Sequence, residues 1–179
     1  MIYQIKIALQ TENSEMNKTP FYFYQIMKLK QSQENAFYDV LLSPECTPHQ
    51  DIIQTGAYWL NHINVVDNIF RAHLCGARHH YNSIESDKVL NLASVRRRAM
   101  DSNKWLLAYA SMLTATTSAE RVSFTFPDGA PGDMTRAEIL VYLLTHSQCH
   151  LSFIASVLTE KHISILPTTM SCIPDSPLP

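Results

Sequence analysis

Glycine is scarce in this chain, with four in 179 residues, and long stretches carry no proline. Both shortages count against a turn-rich β fold and favour helices. The four cysteines, Cys46, Cys75, Cys149 and Cys172, show no CxxC spacing, so they read as free thiols of a reducing compartment. The first residues lack the charged-then-apolar layout of a signal peptide, and no apolar run is long enough to span a bilayer. A cytoplasmic protein without membrane contact is therefore expected. Charge of one sign is also lacking: the formal net charge is −2, and Arg96, Arg97 and Arg98 form the one basic cluster. Consecutive helical positions point in three directions, so that run reads as a solvated face and not as a nucleic-acid surface. No P-loop, GxGxxG or identifiable Ser-His-Asp arrangement occurs. What is present is an apolar content of 46% over a length that suits one domain, 1–179, whose core needs no disulfide staples.

Four helical segments follow from periodicity. The first is expected over about Pro20 to Leu42, with Ile26, Leu29, Ala36, Phe37, Val40 and Leu41 at helical spacing, Gln33 interrupting the stripe, and Ser43-Pro44 stopping it. The second ends at Leu74, with Trp59, Ile63, Val66 and Phe70 on one stripe and Gly76 as the C′ residue. Its start is open: Thr47-Pro48-His49-Gln50 reads as an N-cap, a Pro at N1 and a capping-box Gln, and Thr55-Gly56 is a later alternative. A third, about Asp87 to Thr114, carries Leu92, Ala99, Leu106, Ala110 and Leu113. The fourth has Thr135 as N-cap, Glu138 as its capping-box partner, and Met134 with Ile139 as a hydrophobic staple. From there to Leu158 it is apolar nearly all round, which predicts a central position. Short strands are expected at Arg121 to Phe126, before the Pro127-Asp128-Gly129 turn, and at Tyr3 to Leu9; the two could pair. The proline-rich tail, 167–179, cannot be helical.

Three histidines stand out in apolar surroundings: His62 in LNHINVVDNIF, and His146 with His150 in LLTHSQCHLSFI. Four residues is one helical turn, so the rings of His146 and His150 stack on one face and can converge on one ion, with His62 supplying a third donor. An HxxxH pair alone is weak evidence, because helical histidines are often exposed or hydrogen-bonded in a core. Here the pair shares a face with Leu143, Phe153 and Val157, and His62 lies one turn from Trp59 and Val66. An unpaired imidazole among such neighbours costs roughly a few kcal/mol in desolvation. The other histidines, His49, His73, His79, His80 and His162, fall near helix ends or in loops where water satisfies them.

Three neutral imidazoles plus an open position describe a catalytic metal site, in which water or a thiol becomes a nucleophile near neutral pH. Zinc or nickel suits nitrogen donors, and iron or manganese also fits. Tyr58 and Tyr142 each precede a ligand by four residues, so both are candidate supporting groups, although a Tyr on an apolar stripe is more often core. Gln148 should point elsewhere, Cys149 reads as a small buried residue, and Asp67 should bond between helices instead of facing the ion.

The stretches LNHINVVDNIFRAHLCG and MTRAEILVYLLTHSQCHLSFIASVL resemble the two signature helices of the DinB-type family, and the likeness extends from about Asn35 to Leu166. It implies an all-α four-helix bundle with up-down-down-up connectivity, minor β segments, and a divalent ion on His62, His146 and His150. It further implies a homodimer and, in some relatives, thiol-dependent transfer or isomerisation with a low-molecular-weight thiol. Where the family commonly has HRGQ, this chain has His150-Leu151-Ser152-Phe153, so the arginine at the site mouth is missing. The expectation is a metal-dependent hydrolase or thiol S-transferase acting on a small molecule. The alternative is a non-enzymatic dimeric stress-related binding protein whose metal is structural or absent.

Overall fold

The structure, a computed structural model, describes residues 19–81, 89–126 and 129–165. It is mostly helical. In chain order the elements are α1 (Thr19–Leu41), α2 (Gln50–Leu74), α3 (Leu92–Met112), the single turn α4 (Ala115–Ser118), β1 (Arg121–Thr125), β2 (Pro131–Thr135) and α5 (Arg136–Glu160). Around the molecule the long helices follow the order α1, α3, α2, α5, each packing chiefly on its two neighbours, so α1 and α2, although consecutive, sit nearly opposite one another.

Two apolar clusters fill the interior. One joins Phe37 and Leu41 of α1, Ile52, Leu60 and Ile63 of α2, Val95 and Ala99 of α3, and Leu151, Ile154 and Leu158 of α5. The other joins Met27, Val66 and Phe70, Leu106 and Ala110, and Ile139, Leu140 and Leu143. Sequence numbers rise from the second cluster to the first in α1 and α5, and from the first to the second in α2 and α3. Two helices therefore run one way and two the other.

The local signals explain most boundaries. The earlier of the two starts for α2 is the one adopted, but His49 occupies the cap without a side-chain bond. Gln50 instead donates from Nε2 to the Thr47 carbonyl at 2.9 Å. Gly56 lies inside the helix, where a Cβ would come within 2.5 Å of Leu41 Cδ1; it serves close approach of α1, not initiation. At the other end Gly76 takes φ +66, and the Ala77 amide donates to the Ala72 carbonyl while the Gly76 amide donates to that of His73, a Schellman closure. α3 begins at Leu92, with Asn91 as its cap and not at Asp87, since the Asn91 side chain accepts from the Ser94 amide; residues 82–88 lie outside the described residues.

β1 pairs antiparallel with β2, Arg121 opposite Thr135 and Thr125 opposite Pro131. The expected partner at Tyr3 to Leu9 lies outside the described residues, as does the tail 167–179. The hairpin closes through Gly129 at φ +88, and it delivers Thr135 to the start of α5. There the capping box forms in full: Thr135 Oγ1 accepts from the Glu138 amide, and the Glu138 carboxylate accepts from the Thr135 amide. α5 is not enclosed on all sides. With α1 and α2 as its main neighbours it buries one stripe, Ile139, Leu143, Ser147, Leu151, Ile154 and Leu158, and leaves Val141 and Phe153 at 45% and 47% exposure.

Between the clusters lies a polar layer that periodicity did not indicate. Lys30 of α1 is fully buried. Its ammonium donates to Glu34 and to Asp67, each at 2.6 Å, and to Asn103 at 3.3 Å. Glu34 also accepts from Asn103 and from Ser147. All four long helices thus meet at one charged knot. Burial works against the Lys30 charge, but Asp67 and Glu34 outweigh it and hold its pKa above the ordinary value. Burial and the Glu34 charge push Asp67 up, against the pull of Lys30.

Candidate metal centre

The three histidines singled out by sequence meet. α2 presents His62 and α5 presents His146 and His150 across the α2–α5 contact, just beside the charged knot, since Ser147 belongs to both neighbourhoods. Nε2 of His146 lies 3.1 Å from Nε2 of His62 and 3.1 Å from Nε2 of His150. One ligand atom from each ring falls within 4.8 Å of the other two. Two nitrogens bonded at about 2.05 Å to one ion at the tetrahedral angle lie about 3.3 Å apart, and at a right angle about 2.9 Å apart. Both spacings to His146 fall between these values, as two ligands of a single transition-metal ion would, and the third nitrogen lies within 4.8 Å of each.

The same spacing is poor for hydrogen bonding alone. A neutral imidazole nitrogen either donates one proton or accepts one. Nε2 of His146 faces two like atoms, so at least one of its contacts must be strained or repulsive. A cation accepting three lone pairs removes the conflict. Protonation does not, because burial, then the neighbouring imidazoles, push His146 down to about 3, and burial and His62 lower His150. Neutral rings with free lone pairs are what a metal requires.

Aromatic rings pack on the candidate ligands. Trp59 stacks on His150 with centroids 4.6 Å apart and planes 16° from parallel, and lies edge-on to His62. Tyr142 stacks on His146 at 5.6 Å and 24°, backed by Phe70. Nδ1 of His146 is buried and has no hydrogen-bond partner among the described residues, so stacking takes the orienting role that a carboxylate or carbonyl often plays for a metal-bound histidine.

Of the two candidate supporting tyrosines, the structure brings Tyr142 to a ligand ring, and burial raises its hydroxyl pKa. Tyr58 packs edge-on against Trp59, one ring removed from His150. Gln148 turns away and donates to Gln33. Asp67 bonds between helices, to Lys30, as its spacing from His62 predicts. Two readings need correction. Cys149 is exposed, not buried, because it faces the open side of α5, as Phe153 does. His73 and His79 are not simply water-satisfied: Nε2 of the first and Nδ1 of the second are buried without hydrogen-bond partners among the described residues, and His73 stacks on Phe124.

Trp59 was legible only as a core residue; its position three before His62 and its stacking across to His150 depend on how α2 meets α5. Lys30 and Glu34 left a fainter signal, a charged i, i+4 pair within the Met27, Phe37, Leu41 stripe of α1. No family model, curated protein or solved structure matches this chain.

Proposed function

We propose that this protein is a metal-dependent enzyme of the DinB type, an up-down-down-up four-helix bundle in which His62, His146 and His150 hold one divalent ion. The observation that carries the reading is the convergence of one ring nitrogen from each of His62, His146 and His150, with burial holding His146 and His150 towards the neutral form. Zinc and nickel are the first candidates, with iron and manganese compatible with the same donors. Three protein donors leave a coordination position open, and an ion so held lowers the pKa of a water or thiol in that position towards neutrality. His62, His146 and His150 supply lone pairs and fix where the reacting molecule must sit. Trp59 and Tyr142 keep two of those rings in place and screen them from water. Hydrolysis or thiol S-transfer on a small molecule follows, in a cytoplasmic homodimer.

The missing arginine in His150-Leu151-Ser152-Phe153 supports a second reading, a non-enzymatic binding protein with a structural ion. Purified protein reconstituted with zinc and, separately, with nickel should carry one ion per chain by plasma emission, and His62→Ala should carry none. Absence of stoichiometric metal in the unsubstituted protein would defeat the proposal. Metal-dependent turnover of a thiol or of a hydrolysable ester favours the enzyme; a metal that raises thermal stability without any turnover favours the second reading.

A further inference from the structure

We propose that the molecule taken at this centre is neutral apart from its donor atom and carries an aromatic or flat apolar group, which packs on a rim formed by Trp59 and Phe153. The inference rests on the metal reading above and adds the substrate class to it.

The first observation is one of charge. From Tyr58 to Val66, and from Tyr142 to Ile154, thus four residues to either side of each ligand, there is no Asp, Glu, Lys or Arg. Lys30 has all three of its N–H donors engaged by Glu34, Asp67 and Asn103, and Arg98 of α3 donates to Oδ1 of Asn61, the residue before His62. A ligand with a carboxylate at its far end would find the charge of the ion already shared with the donor atom and, along α2 and α5, no second cation within a turn of the ligands. Bringing that carboxylate against aromatic faces would cost desolvation without return.

The second observation is one of shape. Trp59 is half-buried, with one face against the His150 ring, and Phe153 lies edge-on to it at 5.4 Å. Phe153 is nearly half exposed, a large apolar ring left in solvent one turn from a metal-binding histidine. Tyr58 lies edge-on to Trp59, with centroids 5.1 Å apart, and lengthens the strip. The polar groups beside it on the open face of α5, Thr145, Cys149 and Ser152, are uncharged. An aromatic group joined to a donor atom by a short link reaches this strip while the donor reaches the point on which the three Nε2 atoms converge.

The test uses the full chain loaded with cobalt(II), whose absorption reports both metal binding and thiolate coordination. Phenylmethanethiol, 2-mercaptoethanol and 3-mercaptopropanoate are titrated in parallel. Phenylmethanethiol should bind roughly three- to tenfold tighter than 2-mercaptoethanol, the range that one aromatic contact supplies. The carboxylate thiol should gain nothing over 2-mercaptoethanol. Phe153→Ala, at an exposed position that touches no ligand, should remove most of the preference at unchanged cobalt stoichiometry, and Phe153→Lys should shift it towards 3-mercaptopropanoate. Equal affinities, tighter binding of the carboxylate thiol, or a preference that survives both substitutions would overturn the proposal. Failure of cobalt to bind, seen before any thiol is added, would instead overturn the metal reading beneath it.

Discussion

Replacing His146 with leucine separates a metal centre from a histidine cluster that merely fills a core. In the metal-free protein the substitution removes a half-buried ring whose Nδ1 has no hydrogen-bond partner among the described residues and whose Nε2 faces two others. Relief of one buried unsatisfied group is worth about 1–3 kcal/mol. Against it stands the loss of stacking on Tyr142, about 0.5–1.5 kcal/mol. Leucine keeps most of the volume, so the metal-free variant should be as stable as the unsubstituted protein or more stable by about 1 kcal/mol. With metal the order reverses. Free zinc at about a hundred times its dissociation constant stabilises the native state by about 2.7 kcal/mol, which for a chain of this size raises the melting temperature by roughly 5–10 °C. His146→Leu should lose nearly all of that rise. Calorimetric melts with chelator and with zinc, on both proteins, give the four numbers required. A variant that is several kcal/mol less stable without metal, or that keeps the zinc-induced rise, would refute the reasoning, since His146 would then be packing or dispensable.

Other outcomes follow from the same geometry. Lys30→Met leaves Glu34 and Asp67 buried without their cation and should cost roughly 3–5 kcal/mol in urea melts at neutral pH. Burial then holds the abandoned Asp67 carboxyl above its unfolded pKa, so the deficit should grow as pH rises above about 4 and shrink in acid. The metal-free protein should itself lose stability as pH falls below 6.5, because His146, lowered to about 3, stays neutral in the native state while the unfolded chain takes up protons. His146→Leu should flatten part of that acid slope, as followed by melting temperature from pH 7.5 to pH 4.5. Thr135→Ala, which removes one arm of the α5 capping box, should cost about 1 kcal/mol and leave metal stoichiometry unchanged.

Much of this architecture was legible in local pattern. The start of α5 followed from Thr135 and Glu138, because a capping box is made by residues three apart and needs no tertiary partner. The end of α2 at Leu74 followed from Gly76, whose positive φ suits a residue without Cβ. His146 and His150 had to share a face for the same reason of spacing. By contrast, the start of α3 was misread because residues ahead of Leu92 continue a plausible pattern, and only the Asn91 cap decides. The exposure of Cys149 and Phe153 was misread because an apolar composition all round a helix does not say which sides have neighbours.

By itself, then, the chain determined its long helices, the capping box of α5, the Gly76 closure of α2 and the pairing of two imidazoles on one turn, since each depends on atoms a few residues apart. Whether His62 joined that pair, which aromatic rings would brace the trio, and how Lys30 came to be shared by Glu34, Asp67 and Asn103 depended on how four helices are placed around a common interior. The long-range contacts among these join residues 37 to 91 positions apart. Distance along the chain carries no information about them. Only the packing that buries both apolar clusters at once brings them within reach.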